Sequence, residues 1–405
     1  MPPVTTFITF RHKANRKAAT DSLARSVPCR TPTLNRFALS LPTEIYCRIA
    51  MYLAVSDLKA LVRTCKNLHD IGSRSLYHTV EATHRDGARI FAALLLRYQR
   101  LSAHHIRDAP LLSIRCISYV STSADDDLRV FPLLGDVLTR AFNLRHLHID
   151  IHDRSASALL AVLKRRGVAR AIAPSPIAAA FDFNSNRTKR ISCTYSLPRL
   201  RGLQMSNCKV LSELGRLRTL TSVILDEVVT RDEMVTMLNA LSYGDRGTHI
   251  VSFSCIWAAS YGEGFLWAIA AAFPKLTFLS MSVPDETLPH FYDETYHAVS
   301  SILGFLIKTP YVLADLQVIA LDFYWTVSAA WDAFVEHVQW DRLTSLLSTL
   351  TRARPILRKF FLARAELRYD DKEGKWRVNA ADAEERELER RRLATAGVCQ
   401  RMFYS

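Results

Sequence analysis

Residues 146–152, His-Leu-His-Ile-Asp-Ile-His, alternate imidazole or carboxylate with aliphatic side chains. On an extended strand a period of two turns His146, His148, Asp150 and His152 to one face and Leu147, Ile149 and Ile151 to the other. Imidazole with carboxylate is a donor set that suits zinc or iron. The same alternation also describes a strand buried on its aliphatic side, with polar residues facing outward. That second reading is the one adopted here, with no metal and no cofactor expected. Adjacent His104 and His105 cannot easily converge on one ion.

The stretch is also similar to the H-x-H-x-D-H motif of metallo-β-lactamase-like hydrolases. It has one residue too many before His152, and its aliphatic alternation runs on where those enzymes leave the strand for a loop. A metal-dependent hydrolase using His146, His148, Asp150 and His152 is therefore the third-ranked reading. No Gly-rich phosphate loop, no G-x-S-x-G elbow and no local cysteine-nucleophile signature occurs. Thirteen glycines in 405 residues disfavour dinucleotide folds. Eight scattered cysteines without a C-x-x-C pair fit reduced thiols of cytosol or nucleus. The chain is expected not to be an enzyme.

The elements that would position these residues recur. A phrase of the form apolar-x-x-apolar-x-apolar starts at Leu111, Leu144, Leu200, Leu220, Ile250, Leu276, Leu316 and Leu357, at intervals of 33, 56, 20, 30, 26, 40 and 41 residues. Helix-like stretches such as residues 129–141, 155–167, 230–241 and 340–353 lie between the phrases. Strands alternating with helices imply parallel strands joined by crossovers. The phrase resembles the strand of a leucine-rich repeat, but the spacing is irregular. The expected fold class is α/β: an irregular leucine-rich-repeat-like solenoid with a parallel sheet over residues 81–365, in preference to a doubly wound domain. Residues 169–190 read as an inserted loop. Residues 366–405 read as a hairpin turning near Glu373-Gly374, then a charged helix.

A different pattern precedes the phrases. In Leu41-Pro42-Thr43-Glu44-Ile45 and onward, Leu41, Ile45, Ile49 and Leu53 form one narrow row at helical spacing. Pro42 suits a first helical position, and Glu44 suits the positive end of the helix dipole. Ser56-Asp57 then reads as a cap before a second helix carrying Leu58, Leu61, Val62, Cys65 and Leu68. Such a unit needs either the rest of the chain or a partner to cover its apolar faces.

Residues 39–80 resemble an F-box, the adaptor-binding module of cullin-RING ubiquitin ligases. The resemblance rests on Leu41-Pro42, Glu44-Ile45, Ile49, Leu53, Asp57-Leu58, Leu61, Thr64-Cys65-Lys66, Leu68 and Leu76-Tyr77. It implies an F-box at 37–80 that docks the Skp1 adaptor, and through it cullin, by Leu41, Pro42, Glu44, Ile45, Ile49, Leu53, Asp57, Leu58, Leu61, Val62, Cys65 and Leu68. The remaining domain would hold an unidentified target protein. The outward phrase positions supply the expected contacts: Arg115, His146, His148, Asp150, Gln204, Asp226, Phe278, Asp322, Lys359 and Phe361. The alternative is a non-enzymatic α/β repeat scaffold whose helical hairpin packs internally.

Net charge of +14 raises the question of polyanions. Much of it is local: residues 1–40 carry seven basic side chains against one acidic, and residues 1–36 read as a disordered basic leader. No DNA-reading motif and no basic-aromatic stripe is evident, so nucleic acid is not expected as a partner. The longest apolar stretch, residues 265–279, is broken by Pro274 and Lys275, so no membrane span is expected.

Overall fold

The computed structural model describes residues 41–53, 55–100, 110–169, 197–216, 218–256, 262–283, 291–323, 340–362 and 365–378. The leader, the 169–190 insertion beyond Ala169 and the charged C-terminal segment lie outside them. The described residues fall into two compact units, one ending at Leu76 and one beginning at Tyr77.

The N-terminal unit holds α1 (Thr43–Tyr52), α2 (Val55–Leu61) and α3 (Lys66–Leu76). Pro42 stands at the N-cap, one position earlier than the sequence suggests, and its carbonyl accepts the amides of Ile45 and Tyr46 at 3.0 and 3.3 Å. The expected second helix is two. A turn at Val62–Thr64 separates α2 from α3. The turn consumes the polar groups that would otherwise be left open there: Thr64 Oγ1 donates to the Leu61 carbonyl at 2.8 Å, and His69 Nδ1 lies 2.9 Å from the Val62 carbonyl. Ala50, Leu58 and Ile71 form the core of the unit, with Tyr46, Cys47, Leu53, Leu61 and Leu76 packed around them.

The second unit is built on one eleven-stranded sheet whose order follows the sequence, β1 to β11. The strands are β1 (Thr79–Thr83), β2 (Cys116–Val120), β3 (His146–Asp150), β4 (Gly202–Met205), β5 (Ser222–Leu225) and β6 (Ser252–Ile256), then β7 (Phe278–Val283), β8 (Val318–Phe323), β9 (Lys359–Leu362), β10 (Ala365–Asp370) and β11 (Lys375–Val378). Strands β1 to β9 pair in parallel. The last two pair antiparallel. An order without reversal has no switch point, so the doubly wound alternative is not what forms.

Between the strands run α4 (Gly87–Arg100), α5 (Pro110–Ser113), α6 (Ala124–Arg140), α7 (Asp153–Arg165), α8 (Cys208–Gly215), α9 (Arg231–Ser242), α10 (Gly262–Ala272), α11 (Phe291–Lys308) and α12 (Trp340–Ala353). Their apolar stripes share one continuous core with Leu147, Ile149, Leu203, Met205, Val223 and Leu225 of the sheet. Each strand therefore turns its aliphatic residues to the helices and the alternate residues to the opposite, open face.

Seven of the eight phrases sit in the ladder at the expected register. The first does not. Cys116 pairs with His146 and Ile117 with Leu147, so the phrase equivalent to Leu144, Leu147 and Ile149 is Ile114, Ile117 and Tyr119. Ile114 satisfies either spacing, and only the hydrogen-bond ladder distinguishes them. Arg115 thus precedes its strand instead of lying within it. A strand before these, β1, went unread because it straddles the boundary at residue 80, with Val80 inside the span given to the helical module and Ala82 just beyond it.

The far end of the sheet is closed by the β10–β11 hairpin, whose turn uses Gly374 at φ +65°. Trp376 is buried, and its Nε1 donates to Thr351 Oγ1 of α12 at 2.9 Å. Nearby, Arg354 is 2% exposed, and among the described residues it has no carboxylate partner. Its guanidinium donates to the carbonyls of Leu306 at 3.1 Å, Leu313 and Thr309 at 2.7 Å each, and Val312. These carbonyls end α11 and form the turn after it, so one side chain satisfies acceptors that the helix itself cannot.

Candidate functional site

Two surfaces carry the sequence-derived site residues, one on each unit. On α1 of the N-terminal unit Ile45 and Ile49 are 39 and 44% exposed and Tyr52 is 84% exposed, and Leu41, just before the helix, is 47% exposed. Large apolar residues on a narrow helical stripe, turned away from their own core, form a surface suited to another protein. Tyr52 was missed by sequence reading, although it follows Ile45 and Ile49 at spacings of seven and three. Pro42, Glu44 and Asp57 are exposed beside the stripe, while Leu53, Leu61, Val62, Cys65 and Leu68 are half-buried. Leu58 is a correction: at 1% exposure it belongs to the module's own core and has no surface to offer a partner.

On the open face of the sheet the predicted residues share a surface over strands β2 to β5. His148 Nδ1 and Ser118 Oγ share a hydrogen bond of 2.8 Å across β2 and β3. Burial holds the His148 imidazole below its usual range, against the raising effect of Asp150, which favours its neutral form. Gln204 Nε2 donates to Asp226 Oδ2 at 2.6 Å. Burial and, to a smaller degree, the neighbouring Asp150 push the Asp226 carboxyl up, against the lowering effect of Gln204.

The four-residue histidine motif does not converge. His146 is 5% exposed, and burial together with Arg145 and His78 lowers its imidazole to about 4. The strand ends at Asp150, and His152 becomes the N-cap of α7, its Nδ1 3.3 Å from the amide of Arg154. Among the described residues no group of three or more His, Cys, Asp or Glu is placed to hold a metal ion. The sequence made the four equivalent; the strand-to-helix junction separates the last of them.

His146 explains Gly202 on the adjacent strand. A Cβ at residue 202 would lie 2.0 Å from His146 Nδ1 and 2.4 Å from its Cε1. The imidazole therefore lies across the glycine. Gly202→Ala is expected to lower stability by about 1–3 kcal/mol, as overpacking of a closed site does. The double variant Gly202→Ala/His146→Ala should recover most of that loss in thermal unfolding, whereas additive losses would place the strain elsewhere.

Phe278 and Phe361, read as exposed aromatic contacts, are 3 and 2% exposed. They lie on the face opposite the helices, where they cluster with Val318 and Ala320. Parity along the strand placed them on the correct face, but a face is not automatically wet. Lys359 and Arg115 are half-buried, and the side chain of Asp322 lies outside the described residues. The usable open face is thus the polar part over β2 to β5.

Beyond the end of β5, Glu227 Oε2 accepts the amide of Cys208 at 3.1 Å. Burial, then a hydrogen bond with Asp153, raise its carboxyl from 4.5 to about 7. A carboxyl with a raised folded-state pKa binds its proton more tightly in the folded chain. Stability from this group is complete below the unfolded pKa and is lost as pH rises through about 7. Glu227→Gln keeps an acceptor for Cys208 and removes the titration. Its unfolding free energy is expected to fall less than wild type's between about pH 4.5 and 7; parallel pH profiles would contradict the assignment.

Residues 38–82 match the F-box-like family model. No curated protein matches the chain. The matched span contains all three helices of the N-terminal unit and the start of β1, so this chain carries an F-box-like domain, the kind of module that generally binds Skp1, ahead of a mixed α/β unit with a mostly parallel sheet.

Proposed function

We propose that this protein is the substrate-recognition subunit of a Skp1–cullin–F-box ubiquitin ligase. The observation that carries the reading is the exposed Leu41, Ile45, Ile49 and Tyr52 stripe on a helical unit that matches the F-box-like family. In this reading the stripe docks Skp1, the second unit captures a target protein on its open face, and a conjugating enzyme supplied by the assembly performs the transfer. The chain contributes proximity, converting an encounter into an effectively intramolecular event, and no bond chemistry of its own.

The second unit is read as an irregular leucine-rich-repeat-like solenoid. Sequential parallel order, buried phrase positions and a helical side chain core on one face support that assignment. The assembly would work in cytosol or nucleus, where Skp1 partners operate; five described cysteines are free thiols, as a reducing compartment requires. Among the described residues no helix is long and apolar enough to cross a membrane.

Coexpression with Skp1 followed by size-exclusion chromatography tests the reading. A stable one-to-one complex is expected, and a full chain that elutes free of Skp1 overturns it.

A further inference from the structure

The loops that lead into β4, β5, β6 and β7, residues 197–201, 216–221, 243–251 and 273–277, lie side by side where the parallel strands begin. The Thr221 amide donates to the Arg201 carbonyl at 2.7 Å, Val251 to Thr221 at 3.0 Å and Thr277 to Val251 at 2.9 Å. At about 4.8 Å per strand the four loops form an edge about 14 Å long.

Among the described residues these loops carry six basic side chains, Arg199, Arg201, Arg216, Arg218, Arg246 and Lys275, against one acidic, Asp245. Basic residues are expected where helices end, because a helix C-terminus carries about half a negative charge. Helices α8, α9 and α10 end at this edge, and none has a basic residue in its last turn. Three such ends supply about 1.5 negative charges. Six cations against one anion leave a surplus of five, so the helix ends offset less than a third of it. Arg218 serves that purpose directly: it is buried and donates to the Leu214 carbonyl in the last turn of α8. The others reach the surface.

Side-chain contacts fix where these cations stand. Arg201 Nη1 donates to the carbonyl and the hydroxyl of Thr219, both at 3.1 Å. Arg216, one residue beyond α8, lies over the Tyr243 ring, its guanidinium carbon 5.3 Å from the centroid. Arg246 Nη1 donates to the carbonyls of Arg216 and Tyr243 at 2.9 and 3.2 Å, which ties the two loops together. The turn after α9 is itself fixed. Gly244 and Asp245 take the left-handed conformation, φ +63° and +64°, and Thr248 Oγ1 donates to the Asp245 carbonyl at 2.7 Å. Gly247 lies against the end of α10, where a Cβ would stand 1.8 Å from the Ala272 carbonyl oxygen. Only glycine permits that approach, which seats the turn against the loop of Lys275.

Tyr243 is 59% exposed, and Arg199, Arg201, Arg216 and Lys275 are exposed on the same loops. Tyrosine and arginine dominate binding hot spots, and a turn already held in place loses little freedom when a ligand docks.

We propose that this edge is an interaction surface for an acidic peptide segment. Its carboxylates pair with Arg199, Arg201, Arg216 and Lys275, and one of its apolar side chains packs on the ring face of Tyr243 that Arg216 leaves open. Guanidinium forks match carboxylates. RNA fits less well, because successive bases stack on several aromatic faces. Among the described residues of these loops Tyr243 is the only exposed aromatic, and Arg216 lies over one of its faces. The assignment of the segment to a captured ligase target rests on the function proposed above; the acid preference of the edge does not.

The test is selection of a random twelve-residue displayed peptide library on the immobilised full chain. Selected peptides are expected to be net negative, rich in Asp or Glu, and to share an aromatic or aliphatic residue. A synthetic peptide of the selected consensus should bind at least about tenfold more weakly to Arg199→Gln/Arg201→Gln, to Arg216→Gln and to Tyr243→Ala, and more weakly in high salt. Arg154→Ala removes an exposed arginine at the start of α7, on the opposite edge, and should bind as wild type. Circular dichroism checks that each variant is folded. No enrichment, selected peptides without net negative charge, any folded edge variant with undiminished binding, an equal loss in Arg154→Ala, or tighter binding of a single-stranded oligouridylate would overturn the proposal. Skp1 capture measured on the same preparations separates the two readings: its loss beside intact peptide binding strikes the ligase reading alone, and the converse strikes this proposal alone.

Discussion

Replacing Ile45 and Ile49 together by aspartate is expected to abolish Skp1 capture while leaving both units folded. Their side chains are 39 and 44% exposed, so the substitution inserts no charge into the Ala50, Leu58 and Ile71 core. In a complex, each buried isoleucine contributes about 1.5–3 kcal/mol. Losing two, and forcing two carboxylates to desolvate, removes about 4 kcal/mol or more, roughly a thousandfold in affinity. Titration of the variant with Skp1, with a thermal melt alongside, reads both quantities. Undiminished capture would remove α1 from the docking surface and with it the basis of the ligase assignment. Leu58→Ala provides the contrast. Because Leu58 is core, its loss should lower the stability of the helical unit by about 2–5 kcal/mol and weaken capture only through unfolding.

The second large effect is expected at Arg354. Its guanidinium serves four carbonyls from inside the core, where water cannot replace it. Removing the donor leaves several buried acceptors unsatisfied, each costing about 1–3 kcal/mol. Arg354→Met preserves most of the volume, so the loss it produces, about 3–5 kcal/mol, reports hydrogen bonding and not a cavity. Arg354→Lys should fall between, since one ammonium cannot reach acceptors spread over Leu306 to Leu313 as a planar fork does. Chemical denaturation of the full chain should show this loss in the transition of the sheet-containing unit, with Skp1 capture retained. Burial lowers the arginine's own proton affinity to about 10, so it stays charged at neutral pH and the effect should not depend on pH between about 5 and 8.

The slipped first phrase shows where local reading reaches its limit. Ile114 starts a valid phrase and also ends one, and nothing local ranks Ile114-x-Cys116 against Ile114-x-x-Ile117-x-Tyr119. The ladder does: the amides of Arg115 and Cys116 both bond to His78, and Cys116 pairs with His146. That three-residue shift moved Arg115 from a supposed face residue to the strand's entry edge, beside Arg145 and Arg201. That row of three arginines could therefore have been found from the repeated pairs Ile114-Arg115, Leu144-Arg145 and Leu200-Arg201 once the register was right.

What the sequence by itself determined is periodic. Spacings of four and three marked α1, the three-two rhythm of apolar residues marked most of the parallel strands, and the residues matching an F-box marked the N-terminal module, because each pattern is the imprint of one buried face. The tertiary structure decided everything that depends on which surfaces meet. It divided the second helix at Val62–Thr64, put Leu58 in the module's core, buried Phe278 and Phe361 on the otherwise open face, and took His152 out of line as a helix cap. Periodicity reports only the direction in which a side chain points; whether water, another strand or a neighbouring helix lies in that direction is set by contacts between residues far apart in the chain.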